Sequence, residues 1–195
     1  MARTAGANKA DSHDRIVGAA AKAIRREGYA GTSVAEVMKD AGLTHGGFYA
    51  HFPSREAMLA EALDRAGAES LESLFGAASV RAAAENLEPL EAIVDVYLSD
   101  QHVAAVDAGC TIAALGSETR RQSPAIKKVA TRRLKEFAKL LERQTASTPH
   151  APEPLAALSA LVGALVISRI VDEPALAKQV REAAAKLVLA KPKKR

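Results

Sequence analysis

Apolar residues recur at helical spacing along most of the chain, and no segment alternates apolar and polar residues for long enough to predict a strand. A first helix is predicted over residues 12–28, with Ser12 or Asp11 as its N-cap and Gly28 as its stop. A second follows Thr32-Ser33, and a third, very short helix follows Thr44. The first 55 residues therefore read as three short helices.

The remaining residues continue the same periodicity in longer stretches. Residues 53 and 54, Pro-Ser, open a long helix that reaches about residue 78. Further helices are predicted over 89–106, 110–121, 124–146, 154–171 and 174–190, and the three prolines within 145–154 indicate a loop. Several of these helices open at a proline, which the first turn tolerates because its N–H has no helical partner. The predicted fold class is all-α, with about nine helices.

Residues 33–52 match the physical requirements of a helix-turn-helix. The first helix needs an apolar stripe, which is supplied by Val34, Val37, Met38 and Ala41. Gly42 provides the turn at little steric cost, Leu43 is expected beneath it, and Thr44 is expected to cap the next helix through its hydroxyl. This segment predicts a DNA-binding element whose second helix enters the major groove.

The pair Gly46-Gly47 stands in that second helix, where each glycine should cost about 1 kcal/mol relative to alanine. The missing side chains would let the backbone approach base edges or phosphates. The alternative is that the pair marks a loop, and the sequence leaves both readings open.

Composition and charge narrow the function classes. The single cysteine, Cys110, excludes an internal disulfide framework and a multi-cysteine zinc site. Residues 1–55 carry eight Lys/Arg against five Asp/Glu, and residues 56–190 carry fifteen against eighteen. The tail, residues 191–195, adds four positive charges. A basic N-terminal module on a mildly acidic body favours a polyanionic partner, although a solvated surface of chance imbalance fits the charges equally well.

The chain resembles the TetR family of repressors over about residues 12–60. The matching elements occur in order and are Gly28-Tyr29, Thr32-Ser33-Val34, Ala41-Gly42-Leu43-Thr44, Gly47-Phe48-Tyr49-Ala50-His51-Phe52 and Ser54-Arg55-Glu56 with Leu59. One departure is Arg55, where the family commonly has lysine, but the charge is kept. The rest of the chain matches the family only in its helical layout.

The resemblance implies a set of DNA contacts. Thr32 and Ser33 would bind a phosphate at a helix N-terminus, Tyr49 and His51 would donate hydrogen bonds to phosphates, and Arg55 would add a charge. The base edges would be met by the remaining predicted contacts: Thr44, His45, Gly46 and Gly47. Phe48 and Phe52 are expected in the core.

The domain organisation that follows is a disordered basic arm over 1–11, the helix-turn-helix domain over 12–55, a ligand-binding and dimerisation domain over 56–190, and a basic tail over 191–195. By resemblance, the middle helices enclose a ligand cavity and the last two pair with a second copy. The predicted pocket residues are Tyr97, Gln101, His102, Cys110, Ile112, Leu115, Glu118, Phe137 and Leu141. The predicted dimer interface is Leu155, Leu158, Leu161, Val162, Leu165 and Val166, on a helix too apolar to be buried on one side only.

The sequence therefore predicts a homodimeric, DNA-binding transcriptional regulator, a repressor released from its double-stranded operator by an unknown small-molecule inducer. No catalytic motif, cofactor fingerprint or metal-ligand spacing is present, so we expect no enzyme, no cofactor and no metal. The expected location is the cytoplasm, without a membrane partner. One alternative is a redox or electrophile sensor that uses Cys110. The competing interpretation of this residue is a small, buried, unreactive hydrophobic side chain. Outside this class are a helical interaction module without DNA binding and an enzyme on a borrowed fold.

Overall fold

The computed structural model describes residues 2–145 and 152–190 of the chain, with side chains from Lys9 onward. These residues form helices and no strand, which confirms the all-α prediction. The helices are α1 (Ala2–Gly31), α2 (Val34–Asp40), the 3-10 helix η1 (His45–Ala50), α3 (Arg55–Glu85), α4 (Pro89–Tyr97), α5 (Asp100–Ala104), α6 (Thr111–Thr119), α7 (Pro124–Thr145), α8 (Pro154–Ile170) and α9 (Pro174–Val188).

Two apolar cores divide the molecule. The first joins α1, α2 and η1 to the N-terminal half of α3, and we call this unit the head. The second joins the C-terminal half of α3 to α4, α7, α8 and α9, and we call this unit the body. The long helix α3 belongs to both, with Met58–Ala66 buried in the head core and Leu71–Ala78 in the body core.

Helix α1 is longer than its apolar pattern predicts. It begins at Ala2, so residues 2–11 are helical rather than the predicted disordered arm. Ser12 is not its N-cap: the residue is buried within the helix and its hydroxyl accepts a hydrogen bond from Arg15. The alanines of this segment favour a helix without any apolar face to reveal it. The basic tail, residues 191–195, lies outside the described residues.

Two other helix boundaries differ from prediction. The stretch 89–106 is two helices, because Ser99 leaves the helical conformation between α4 and α5. Its hydroxyl donates to the carbonyl of Val96 and accepts from the N–H of His102, so it caps the second helix. Helix α3 continues to Glu85, where Asn86 ends it in a left-handed conformation.

A polar joint fixes the head to the body at the C-terminal end of α1. The N–H of Tyr29 donates to Glu118 of α6 over 3.0 Å, and the Tyr29 hydroxyl lies 3.0 Å from the hydroxyl of Thr119. Gly28 permits this turn, with φ 71° and ψ −178°, a conformation that side chains other than glycine rarely adopt. Leu115 and Ile126 of the body are buried in the head core beside it.

Within residues 2–145 and 152–190, we find no helix whose length and apolarity would carry it across a bilayer.

The joint makes Gly28 sensitive to a single methyl group. A Cβ at this position would lie 2.5 Å from an Oε of Glu118, so we expect Gly28→Ala to lower the free energy of unfolding by about 2 kcal/mol. Urea denaturation measures the change. Gly18→Ala on the same helix is the control, because nothing lies within 4 Å of its Cβ position and it should stabilise by about 0.5–1 kcal/mol. Equal effects of the two substitutions would contradict this account.

Candidate nucleic-acid interface and ligand cavity

The segment after Gly42 forms the helix-turn-helix that the pattern predicts. Gly42 has φ 67°, and Leu43 is partly buried against the head core. The following helix, η1, is a 3-10 helix with Phe48 buried on its inner side, and Phe48 stacks on the buried Phe52 with 5.6 Å between ring centroids. Both phenylalanines are core residues, as predicted.

The opposite side of η1 is open to solvent. Thr44, His45 and Gly46 are exposed, and Tyr49 has 75% of its surface exposed. Gly46 and Gly47 lie inside η1 rather than in a loop, and a Cβ on Gly46 would meet no other atom within 4 Å. Thr44 occupies the N-cap position but makes no capping hydrogen bond, so the prediction that its hydroxyl caps η1 is wrong and that hydroxyl faces solvent.

Thr32 is placed differently from its neighbour Ser33. Thr32 is only 1% exposed, and its hydroxyl donates to the carbonyl of Gly28 over 2.7 Å. The prediction that this hydroxyl binds a phosphate is therefore corrected, because the side chain closes the turn after α1. Ser33 is half-buried and makes no capping bond.

Arg55 braces the turn between α1 and α2. Its Nε and Nη2 donate to the carbonyl of Thr32 over 3.1 and 2.9 Å, and Nη2 also donates to the carbonyl of Tyr29. The side chain nevertheless stays exposed. Sequence reasoning missed this positioning role, because nothing in the sequence places the start of α3 against the end of α1.

Tyr49 and His51 sit on either side of the buried phenylalanines. The Tyr49 ring meets Phe48 edge-on at 5.2 Å and is otherwise free, which excludes a packed aromatic. His51 is half-buried, and desolvation together with the nearby His13 and Lys9 lowers its pKa. An imidazole kept neutral at pH 7 can still donate one N–H.

A cavity of about 230 Å³ lies in the body. Its walls come from α3, α4, α5, the loop of residues 105–110, the start of α6 and α7. Six of the nine predicted pocket residues line it, and these are Tyr97, Gln101, His102, Cys110, Ile112 and Phe137.

Three predicted pocket residues lie elsewhere. Leu115 is buried in the head core, Glu118 accepts the N–H of Tyr29, and Leu141 is buried in the body core. Sequence reasoning missed the α3 wall, which includes Ser70 and Ser73. The available signal was the group of small residues Gly67, Ser70, Ser73 and Ala77 beside Leu71 and Leu74 on α3.

His102 and Cys110 form one polar cluster in the cavity wall. His102 Nδ1 lies 2.7 Å from the carbonyl of Tyr97, and its Nε2 lies 3.1 Å from the N–H of Cys110. Since Nε2 accepts, the ring is neutral with its proton on Nδ1. The Cys110 residue is 4% exposed, a placement typical of a small buried hydrophobe and one that does not favour the cysteine-sensor alternative.

Helices α8 and α9 leave an apolar surface uncovered. Leu155, Ile167 and Ile170 of α8 are 50, 42 and 74% exposed, and Leu187 of α9 is 68% exposed. The structure buries three of the predicted interface residues within the chain's own core, namely Leu158, Leu161 and Leu165. The predicted Val162 and Val166 are half-buried.

Comparison with known proteins agrees with this geometry. Residues 16–62 match the family model described as bacterial regulatory proteins, tetR family. Over 54 residues, 28% of the chain, it is 32% identical to an uncharacterized HTH-type transcriptional regulator, YerO, of Bacillus subtilis. The matched segment spans 19% of that protein's length, about a fifth.

Solved structures extend the likeness to the whole chain. A TetR-family regulator from Cytophaga hutchinsonii aligns with a TM-score of 0.77 and 19% identity, covering 96% of this chain and 98% of that one. AibR, solved with isovaleryl coenzyme A and operator DNA, aligns with a TM-score of 0.58 and 16% identity, covering 91% and 97%. At these identities the structures establish the fold.

The fold and the exposed η1 define an all-α protein with an N-terminal helix-turn-helix. Residues 16–62 are similar to the DNA-binding segment of tetR-family regulatory proteins, and the fold of the chain is that of solved TetR-family regulators.

Because His102 is neutral in the folded protein, we expect the free energy of unfolding to depend on pH. Burial lowers its pKa below the ordinary 6.5, so the unfolded chain binds the proton more readily than the folded one. The stabilisation that comes from neutral His102 is therefore complete above about pH 6.5. It is lost as the pH falls from there through the lower pKa that His102 has in the folded state. We expect the unfolding free energy to drop more between pH 7.5 and 5.0 in the wild type than in His102→Gln. Parallel urea-denaturation profiles for the two proteins would refute the assignment.

Proposed function

We propose that this chain is a DNA-binding transcriptional regulator that acts as a homodimer and whose affinity for its operator changes when a small molecule enters the body cavity. The observation that carries the proposal is the solvent-facing side of η1, where polar and glycine residues stand exposed over a phenylalanine core. Because these residues are exposed, they contribute little to the stability of the chain.

The size of η1 suits a major groove. Six residues of 3-10 helix rise about 12 Å, close to the width of that groove in B-DNA. His45 and Thr44 supply hydrogen-bonding groups for base edges, and the glycines allow the backbone to come near them.

Phosphates would be bound by Tyr49 of η1 and by residues outside this helix. Tyr49 extends its hydroxyl from an otherwise free ring, and Ser33 and His51 add neutral donors. Arg55 would contribute charge while it braces the turn, since its guanidinium remains exposed. These contacts fix orientation and carry no base sequence themselves.

A second copy would cover the apolar surface of α8 and α9. Helix-turn-helix proteins read two half-sites one helical turn apart, which a two-fold dimer satisfies. Exposed apolar side chains on both helices offer a self-complementary surface. The proposed dimer surface retains three of the predicted interface residues, Leu155, Val162 and Val166. It also includes the exposed Ile167, Ile170 and Leu187.

A path for ligand control runs through α3, which is about 45 Å long and lines both the head core and the cavity. The loop of residues 105–110 offers a second path. Arg25 of α1 donates to the carbonyl of Asp107, and Arg169 of α8 donates to those of Val103 and Ala105. A ligand acts only if it binds the DNA-incompetent arrangement more tightly than the competent one. We take the DNA-bound state to be the ligand-free one, which makes the protein a repressor.

Footprinting on the DNA that flanks the protein's own gene tests this function. A protected segment with two half-sites, and an affinity that falls steeply with salt, is the expected result. A helical interaction module without DNA binding would protect no segment at any salt concentration.

Tyr49→Phe isolates one phosphate contact. The hydroxyl is exposed, so stability should not change, whereas affinity for the footprinted fragment should fall about tenfold. Fluorescence anisotropy at several salt concentrations measures both affinity and salt slope. The slope should stay constant, since no charge is lost. Unchanged affinity would remove Tyr49 from the interface.

Ile170→Glu places a charge on the most exposed apolar side chain of the proposed dimer surface. We expect sedimentation equilibrium to show a shift from dimer toward monomer, with loss of operator binding, because an unpaired charge resists burial. Leu134→Glu is the matched control, since Leu134 is 37% exposed on α7 and lies outside the surface. A dimer that survives Ile170→Glu would place the interface elsewhere.

A further inference from the structure

The body cavity carries information about the chemistry of its ligand, because few groups of its lining can carry a charge. Its lining contains one arginine, Arg133, one histidine, His102, and no aspartate or glutamate. The remaining lining groups are apolar or neutral. The ligand that fits therefore depends on whether Arg133 and His102 have an unused charge or hydrogen-bonding position.

Arg133 is already neutralised. Its Nε donates to Asp64 over 2.6 Å and its Nη1 to Glu136 over 2.6 Å, while Nη2 lies 2.5 Å from Asp64. All three nitrogens are engaged with two carboxylates. Nη1 and Nη2 each keep one further N–H, but an anionic ligand that accepted from them would lie beside these two carboxylates as a like charge.

A cationic ligand is equally disfavoured. With no carboxylate in the lining, a buried ammonium would lose its hydration without a counter-ion. His102 offers neither charge nor a free nitrogen, because Tyr97 and Cys110 occupy both of its ring positions. Around His102, Arg169 of α8 also disfavours protonation of the ring. The cavity is thus selective for uncharged molecules.

The Tyr97 hydroxyl differs from the other neutral polar groups of the lining, which are those of Ser70, Ser73, Ser99, Gln101 and Thr111, because it is completely buried. The Tyr97 side chain is fully buried, and its hydroxyl has no hydrogen-bond partner among the described residues. The Cys110 thiol, which also lines the cavity, is the neighbouring group, and burial raises the pKa of the phenol well above its ordinary value. A phenol that stays protonated is a hydrogen-bond donor, and leaving it unsatisfied is unfavourable.

The volume limits the size of the ligand. An engineered protein cavity of about 150 Å³ accepts benzene, so about 230 Å³ accommodates a substituted single ring on the order of ten non-hydrogen atoms. Phe75 and Tyr97 both lie within 6.0 Å of Phe137, so aromatic rings are grouped against the α7 wall.

We propose that the cavity binds a small, uncharged, mainly apolar molecule that carries a hydrogen-bond acceptor, and that the Tyr97 hydroxyl donates to that acceptor. This inference rests on the proposed function for its regulatory meaning, but its binding test stands apart from DNA.

Two isosteric probes separate the hydrogen bond from size and apolarity. Acetophenone carries a carbonyl acceptor, whereas α-methylstyrene has the same shape without it. We expect acetophenone to bind the wild type about tenfold more tightly, by isothermal titration calorimetry or by thermal shift, and benzoate and benzylammonium to bind at least tenfold more weakly than acetophenone.

Tyr97→Phe is the decisive variant, since it removes only the hydroxyl. It should abolish the preference for acetophenone over α-methylstyrene while both still bind, and it should melt no lower than the wild type, because an unsatisfied buried group is lost. Tyr49→Phe is the matched control, because it removes the same group from an exposed tyrosine outside the cavity lining and should leave the preference intact.

Each other outcome overturns the proposal. These are binding of neither neutral probe, tighter binding of benzoate or benzylammonium, and a preference that survives Tyr97→Phe. In any of these cases, salt-dependent protection of flanking DNA would still support the proposed DNA-binding function. The proposal for the ligand class can therefore be wrong while the proposed function stands.

Discussion

The head of this protein depends on apolar contact with the body. Its core includes Leu115 of α6 and Ile126 of α7, which are buried in the same cluster as Tyr29. About fifty residues bury little apolar surface alone, so a helix-turn-helix of this size gains stability from such support. The hydrogen bonds of Tyr29 with Glu118 and Thr119 then fix the angle of the contact, because they are directional where apolar burial is not.

That dependence gives the proposed ligand control a structural route from the cavity in the body to the head. Helix α6, which supports the head, begins immediately after the cavity loop, and α3 continues from the head core into the cavity wall. Packed interiors respond to a new occupant by shifting elements rather than by compressing. Arg25 of α1 and Arg169 of α8 donate to backbone carbonyls of the same loop. A change in the conformation of that loop would therefore alter contacts of both helices.

The chain also divides its apolar residues between two tasks. On α8, Leu161 and Leu165 complete the core of one chain, whereas Ile167 and Ile170 remain at the surface. A helix this apolar reads from sequence as buried on several sides. Only the positions of the neighbouring helices separate the side packed within the chain from the side left for a partner.

The sequence by itself determined the class of fold, the helix-turn-helix and its buried phenylalanines, because periodicity, glycine at the turn and proline at helix starts are local properties. Six of the nine predicted pocket residues also line the cavity, and five of them lie between residues 97 and 112, close together in the chain. Tertiary structure alone decided the roles of Thr32, Arg55 and Glu118, whose partners are backbone groups that no side-chain pattern reveals. It also decided which polar groups of the cavity are free, because satisfaction of Arg133 and isolation of Tyr97 depend on residues distant in the chain.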